Sequence, residues 1–164
     1  MSKEKIYITK LHHDAKIPSK RDEDAGYDIY ACFDENEFMI EPHQTRLVPT
    51  GIATKFSDKY VMQLNERGST GSKGIAQRCG VIDSGFRGEW MVPLTNTTNK
   101  NLIISKVAVD TTEDAARIIY PYSKAICQAL LLPVPKSKVV EVSKEEYDKF
   151  KSERGKGMLG SSGK

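Results

Sequence analysis

The feature that most restricts how this chain can fold is a succession of short alternating runs, each stopped by turn residues before it reaches helical length. Residues 5–10 alternate apolar and polar, Ile6 and Ile8 against Tyr7 and Thr9, which is the period of a strand covered on one face. In Tyr27-Asp28-Ile29-Tyr30-Ala31-Cys32-Phe33 the same period sends Tyr27, Ile29, Ala31 and Phe33 to the core side and turns Asp28 and Tyr30 away from it. Further runs cover 38–40, 46–48, 52–56 and 60–64, separated by Pro42, by Pro49-Thr50-Gly51 and by Ser57-Asp58-Lys59. Leu130-Leu131-Leu132 and Val139-Val140 read as late core strands. Helical periodicity is nearly absent, so the expected class is all-β, a barrel or jelly roll. One helix is expected over 143–152, where Ser143-Lys144-Glu145-Glu146 has the form of a capping box ahead of Tyr147 and Phe150. A second, over 112–118, would start at Glu113 and Asp114.

A chain of 164 residues allows one compact domain with a sizeable core. Its 25 Lys and Arg against 22 Asp and Glu leave a net charge of +3, and no basic run interleaves with aromatics, so nucleic acid is not an expected partner. Cys32, Cys79 and Cys127 are odd in number and never spaced as CxxC, which suggests neither a disulfide framework nor a zinc site. They read as reduced thiols. The opening residues lack the apolar run of a signal peptide, and no stretch is long and apolar enough to span a membrane, so a cytoplasmic protein is expected. His12, His13 and His43 stand in polar company and read as surface residues rather than ligands.

Four stretches are candidates for chemistry. In Gly80-Val81-Ile82-Asp83-Ser84-Gly85-Phe86-Arg87-Gly88-Glu89-Trp90 three glycines bracket a carboxylate, a ring and a guanidinium. Glycines inside a strand-like pattern mark bulges or places where a ligand approaches the backbone, which would put Asp83 at the lip of a pocket. A plain hairpin with Asp83 capping its turn is the structural alternative. Asn65-Glu66-Arg67-Gly68-Ser69-Thr70-Gly71-Ser72-Lys73-Gly74 offers backbone N–H groups, hydroxyls and two cations, as an oxyanion-binding loop does, though a flexible surface loop has the same composition. Gln128 interrupts an apolar run and must find a partner, in the backbone or in a ligand. Residues 153–164 hold too few apolar groups to pack alone and would suit closure over a polyphosphate, so 1–152 is taken as the domain and 153–164 as an arm.

In this order the segments resemble the five motifs of the trimeric dUTP diphosphatases (dUTPases): Ala25-Gly26-Tyr27-Asp28-Ile29-Tyr30-Ala31, Arg67-Gly68-Ser69-Thr70, Gly80 through Glu89, Ile126-Cys127-Gln128, and Arg154-Gly155 with Gly160-Ser161-Ser162-Gly163. The likeness spans nearly the whole chain, and its third and fifth motifs are the specific ones. It implies a β jelly roll of the β-clip type and a homotrimer whose active sites are each shared among three subunits. It also implies Mg²⁺-dependent hydrolysis of dUTP to dUMP and pyrophosphate, which limits dUTP and supplies the dTTP precursor. On this resemblance Asp83 would activate the attacking water, and Asp28 would hold hydrated Mg²⁺ through water. Phe86 would stack on the deoxyribose, and backbone groups of Gly80, Val81 and Ile82 would read uracil. Arg67, Gly68, Ser69, Gln77, Met91 and Gln128 would complete the substrate contacts, with Arg154, Leu159, Gly160, Ser161 and Ser162 closing from the arm.

The sequence departs from the family pattern at several of these positions. Gly68 stands where the family usually has a phosphate-binding serine, and Gln77 where it often has a uracil-binding asparagine. Phe86 replaces a tyrosine, Ala125 lacks a basic side chain that Lys124 carries next door, and Leu159 replaces an aromatic lid. Residues 106–123 resemble an insertion between the third and fourth motifs, in a place where some phage members bind regulatory proteins. Two other readings compete. A dCTP deaminase would need a glutamate at position 93, where this chain has Pro93. A non-catalytic trimer that binds a repressor or senses nucleotide would leave Asp83 without a task.

Overall fold

The computed structural model describes residues 4–109 and 113–156. Twelve strands and two one-turn helices follow one another among them. The strands are β1 (Tyr7–Lys10), β2 (Gly26–Tyr30), β3 (Glu37–Ile40), β4 (Thr45–Pro49), β5 (Ile52–Lys55), β6 (Tyr60–Asn65), β7 (Ile75–Gln77), β8 (Val81–Ile82), β9 (Met91–Asn96), β10 (Asn101–Ser105), β11 (Arg117–Pro121) and β12 (Ala125–Pro133); helix α1 is Gly68–Gly71 and α2 is Lys144–Tyr147. They form four small sheets, β2-β12-β6-β8, β4-β9-β7, β11-β10-β3 and the ribbon β1-β5. The expected all-β jelly roll is the observed architecture. No helix of the described residues is long and apolar enough to cross a membrane.

Period two decides the core. Ile29, Ala31 and Phe33 are buried while Asp28 and Tyr30 are only partly so. Ile40, Val48, Leu64, Val92, Leu94, Leu102 and Ile126 join Trp90 and Tyr120 in one apolar cluster. Asn96 is the buried amide among several buried hydroxyl residues, and it donates to Ile40 O at 3.0 Å and Lys100 O at 2.7 Å, so its burial leaves no donor unpaired.

Three expectations are corrected. Residues 113–118 are not helical: Glu113 forms an isolated bridge with Ile118, and β11 begins at Arg117. Apolar residues at consecutive positions 118–120, buried on both faces, overrode the acidic start. Val139 and Val140 are in no strand and are 96% and 64% exposed, so their apolar character marks no core within this chain. The helix at 143–152 is a single turn. Ser143 caps it by accepting Glu146 N–H at 3.1 Å, as the capping box implied, but Tyr147 and Phe150 pack edge to face on each other and stay 61% and 67% exposed. Without tertiary packing a helix this short does not extend.

Part of the segment 106–123 is framework. β11 lies inside it and pairs in parallel with β10, Asn101 opposite Arg117 through Ser105 opposite Pro121. Parallel neighbours cannot be joined by a tight hairpin and need a crossover of roughly a dozen residues, which residues 106–116 supply.

Candidate functional site

Asp28 lies in the middle of β2, and the register places Gln128 of β12 opposite it, with Asn65 of β6 opposite Gln128 in turn. Directly after Asn65 the chain leaves the sheet and carries Arg67 back over it. Arg67 Nε is 3.1 Å from Asp28 Oδ1, and its Nη1 donates to Ala125 O at 3.3 Å. Thr70 fixes this turn, its buried Oγ1 accepting Arg67 N–H and donating to Arg67 O, which starts α1. Gln128 is only partly buried and finds its partner in the backbone, donating to Glu66 O at 3.0 Å. A Cβ at Gly26 would stand 2.7 Å from Gln128 Oε1, so the first motif's glycine is what lets that amide lie across β2. Gly26, Asp28, Arg67 and Gln128 line a cleft of about 840 Å³ together with Lys20, Arg21, Glu23 and Asp24. The two cations escaped the sequence reading; the only signal was a basic pair in a polar loop, and that loop is tied to the site by Asp28 N–H donating to Ser19 O at 2.9 Å.

The second cleft, about 310 Å³, is lined by Cys79, Val81, Ile82, Asp83, Phe86, Glu89 and Met91. Here β8 is only two residues long and pairs with Met62 and Gln63 of β6. The chain then turns, Phe86 N–H donating to Asp83 O at 3.0 Å. Asp83 is exposed, and among the described residues its carboxylate enters no ion pair and accepts no hydrogen bond. Phe86 is 43% exposed and its ring covers Gly88, where a Cβ would meet it at 2.7 Å. The far end of the loop is clamped from below: Glu89 Oε1 accepts Gly51 N–H at 2.7 Å, Thr50 Oγ1 donates to Trp90 O at 2.7 Å, and Trp90 N–H donates to Ile52 O at 3.0 Å. The separator Pro49-Thr50-Gly51, with Ile52 after it, is thus the support of the third motif.

Gln77 does not line this second cleft. Its amide donates to Cys79 O and reaches Cys79 Sγ at 3.2 Å, while its backbone N–H donates to Glu66 Oε1 at 3.1 Å. Burial raises the Cys79 thiol above its usual range, with the Gln77 bond opposing, and burial does the same to Cys127 and to the Tyr120 hydroxyl. The three thiols are free. Gly68 and Ser69 are exposed, and the space around Gly68 is open. Arg154 is described and exposed, whereas Leu159, Gly160, Ser161 and Ser162 lie outside the described residues. His12 is not a bare surface residue, since its Nε2 is 2.9 Å from Asp34 Oδ1 and its Nδ1 accepts Asp14 N–H.

The two clefts share no lining residue. Asp28 and Asp83 stand at opposite edges of the β2-β12-β6-β8 sheet, three interstrand steps apart, or about 14 Å of backbone. No single side chain spans that distance.

Known proteins resemble this chain throughout. The dUTPase family model matches residues 13–120. A deoxyuridine 5'-triphosphate nucleotidohydrolase of Nautilia profundicola is 32% identical over 164 residues, covering 98% of this chain and 99% of its own. The enzyme of that name from Leptospira interrogans is 36% identical over 104 residues, 61% of this chain and 71% of its own. Among solved structures, the Staphylococcus bacteriophage 80alpha dUTPase with dUPNHPP superposes with a TM-score of 0.77 at 22% identity, covering 98% and 99% of the two chains.

Proposed function

Since the chain belongs to the dUTPase family, it is a dUTP diphosphatase, and we propose that its active site forms where the Asp28–Arg67–Gln128 cleft of one subunit meets the Asp83 cleft of another in a homotrimer. The observation that carries this reading is the separation of the two clefts on opposite edges of one sheet. A second copy supplies what one copy cannot, and closed rings with heterologous contacts are the ordinary means of doing so.

Asp83 has the character its role requires. An exposed, unpartnered carboxylate at the mouth of a small cleft accepts a proton from water as that water attacks the phosphate chain, while the α–β anhydride breaks and pyrophosphate leaves. Arg67 supplies positive charge to the phosphates, with Lys20, Arg21 and, from the arm, Arg154. Ser69 is the hydroxyl left to contact phosphate where Gly68 has none; Ser161 and Ser162 close from the arm with Gly160 and Leu159. Phe86 offers its exposed face to the deoxyribose, and Gly80, Val81, Ile82 and Met91 frame the uracil. Gln128 and Gln77 act through the backbone they brace.

The donor set at Asp28 suits Mg²⁺. One carboxylate oxygen is engaged by Arg67, the lone pairs of the other remain, and the surrounding cleft is wide and polar. A hard cation that keeps its waters and binds through one carboxylate plus substrate phosphates needs no more than this. Bound there, Mg²⁺ would neutralise charge on the triphosphate. Three free thiols fit a reducing cytoplasm. A regulatory protein at 106–123 has Val107 and Val109, 51% and 43% exposed, as its apolar footing among the described residues.

The experiment is incubation with dUTP, dCTP, dTTP and UTP in Mg²⁺, reading pyrophosphate. Release from dUTP alone is expected; ammonia from dCTP, or no release from any of the four, would overturn the reading.

A further inference from the structure

Tyr120 is buried in β11, a strand of the β11-β10-β3 sheet, where it stands opposite Ile104. Its hydroxyl reaches into the neighbouring sheet and donates to the carbonyl of Ala125, the first residue of β12, at 2.6 Å. A phenolic hydroxyl in a core needs such a partner, whereas phenylalanine would fill the same space and need none. The bond spans the turn from β11 into β12, but Lys124 N–H already closes that turn on Pro121 O at 3.0 Å. What sets the Ala125 carbonyl apart is a second donor, because Arg67 Nη1 reaches the same oxygen at 3.3 Å. Together the two donors use both of its lone pairs. The register of β12 on β2 shifts between Ala125 and Cys127, so this carbonyl lies at an irregular end of the ladder, where strand pairing fixes its direction least. Burial raises the ionisation of the Tyr120 hydroxyl, and Arg67 and Ser69 stand close enough to oppose that rise.

We infer that Tyr120 is a positioning residue for Arg67, an inference that rests on the reading of Arg67 as a group that neutralises phosphate charge. Without substrate the guanidinium is held at two points, Asp28 Oδ1 and Ala125 O. When Asp28 turns to a hydrated cation and the phosphates take up the guanidinium, the first point is given up and the second remains. A long side chain released from both would lose the fixed aim that preorganised charge stabilisation requires. Tyr120 keeps the remaining anchor pointed at Arg67. A strand that lines neither cleft thus acts on the chemistry from the next sheet.

Steady-state hydrolysis of dUTP by the full-length protein tests this as a double-mutant cycle of Tyr120→Phe and Arg67→Ala. Tyr120→Phe keeps the ring in the core and should lower kcat/KM about tenfold, short of the roughly 10²-fold that an ångström of misplacement can cost. In the Arg67→Ala background the same change should alter kcat/KM by less than about twofold, because the group it aims is gone. Ile118→Val trims a buried residue of the same strand and controls for loosening of β11; below its thermal midpoint its kcat/KM should stay within about twofold of the parent. Parental kcat/KM in Tyr120→Phe, equal fold-losses in the two backgrounds, or an equal loss in Ile118→Val would each overturn the inference, by showing the hydroxyl to be a core brace only. Failure of the underlying reading looks different, since Arg67→Ala alone would then keep full activity, and the inference would fall with it.

Discussion

Asp28 sits mid-strand with its backbone bonded on both sides and its carboxylate against Arg67, whereas Asp83 follows a two-residue strand, on a turn, with its carboxylate unengaged. The first acid belongs to a polar network whose members hold one another before any substrate arrives. The carboxylate of the second has no partner among the described residues, and its backbone is positioned by the pairing of β8 with β6, by Phe86 N–H on Asp83 O and, from below, through Glu89 and Trp90. A group that must neutralise phosphates can rest in an ion pair and exchange that partner for another. A group that must take a proton is weakened by any resident donor.

The hardest test of that contrast is Asp83→Asn. With the unengaged acid gone, kcat should fall by about 10²–10⁴-fold with little change in KM, since an amide keeps the shape and loses the base. Undiminished pyrophosphate release would remove Asp83 from its role. Arg67→Ala acts on the paired side, and kcat/KM should fall by about 10²-fold, the usual worth of one charge-stabilising donor; a change of less than threefold would show that Lys20 and Arg21 carry the phosphates instead.

The two inactive variants together test whether the clefts meet between subunits. When Asp83→Asn and Arg67→Ala chains are co-refolded in equal amounts, about three quarters of random trimers are mixed and each mixed ring holds one intact site in three, so about a quarter of wild-type activity should return. No recovery would mean that Asp83 and Arg67 of the same chain serve one site.

How much of this was legible in the sequence depends on which distances chemistry sets. The core strands were readable because period two is local, and Ile29, Ala31 and Phe33 are buried as that period requires. The place of Asp83 in the lining of a small cleft was readable because its glycines are neighbours in the chain. Arg67 lying on Asp28 and Gln128 reaching over Glu66 were not, because each depends on which strands pair, and pairing between residues 28 and 128 leaves no local trace. Val139 and Val140 misled for the complementary reason, as an apolar pair records that a surface is to be covered without saying by what. The strand β11 inside residues 106–123 was not legible either, because its parallel pairing with β10 across a crossover is again set by distant strands.

A smaller effect separates the support of the Asp83 loop from the acid itself. Glu89→Ala leaves Gly51 N–H without its acceptor at a part-buried position. It should cost about 1–3 kcal/mol of stability and lower the thermal midpoint. If activity below that midpoint falls as far as in Asp83→Asn, Glu89 is more than a brace.

The mildest prediction concerns Tyr122, remote from both clefts, and serves as a baseline for them. Burial and, after it, the nearby Cys32 thiol push its hydroxyl up to about 12, although Oη is sealed from solvent and has no partner of good hydrogen-bond geometry. An unfolded tyrosine ionises near pH 10, so the folded state holds this proton more tightly. The resulting stability is present in full below pH 10 and is lost as pH climbs from there toward 12, because ionisation then favours the unfolded chain. In Tyr122→Phe that source of decline is absent, and removal of an unpartnered hydroxyl should raise stability slightly at pH 7. Urea midpoints at pH 7, 10 and 11.5 should therefore fall less steeply for the variant than for the parent. Parallel slopes would show that the hydroxyl is ionised as readily in the folded protein as outside it.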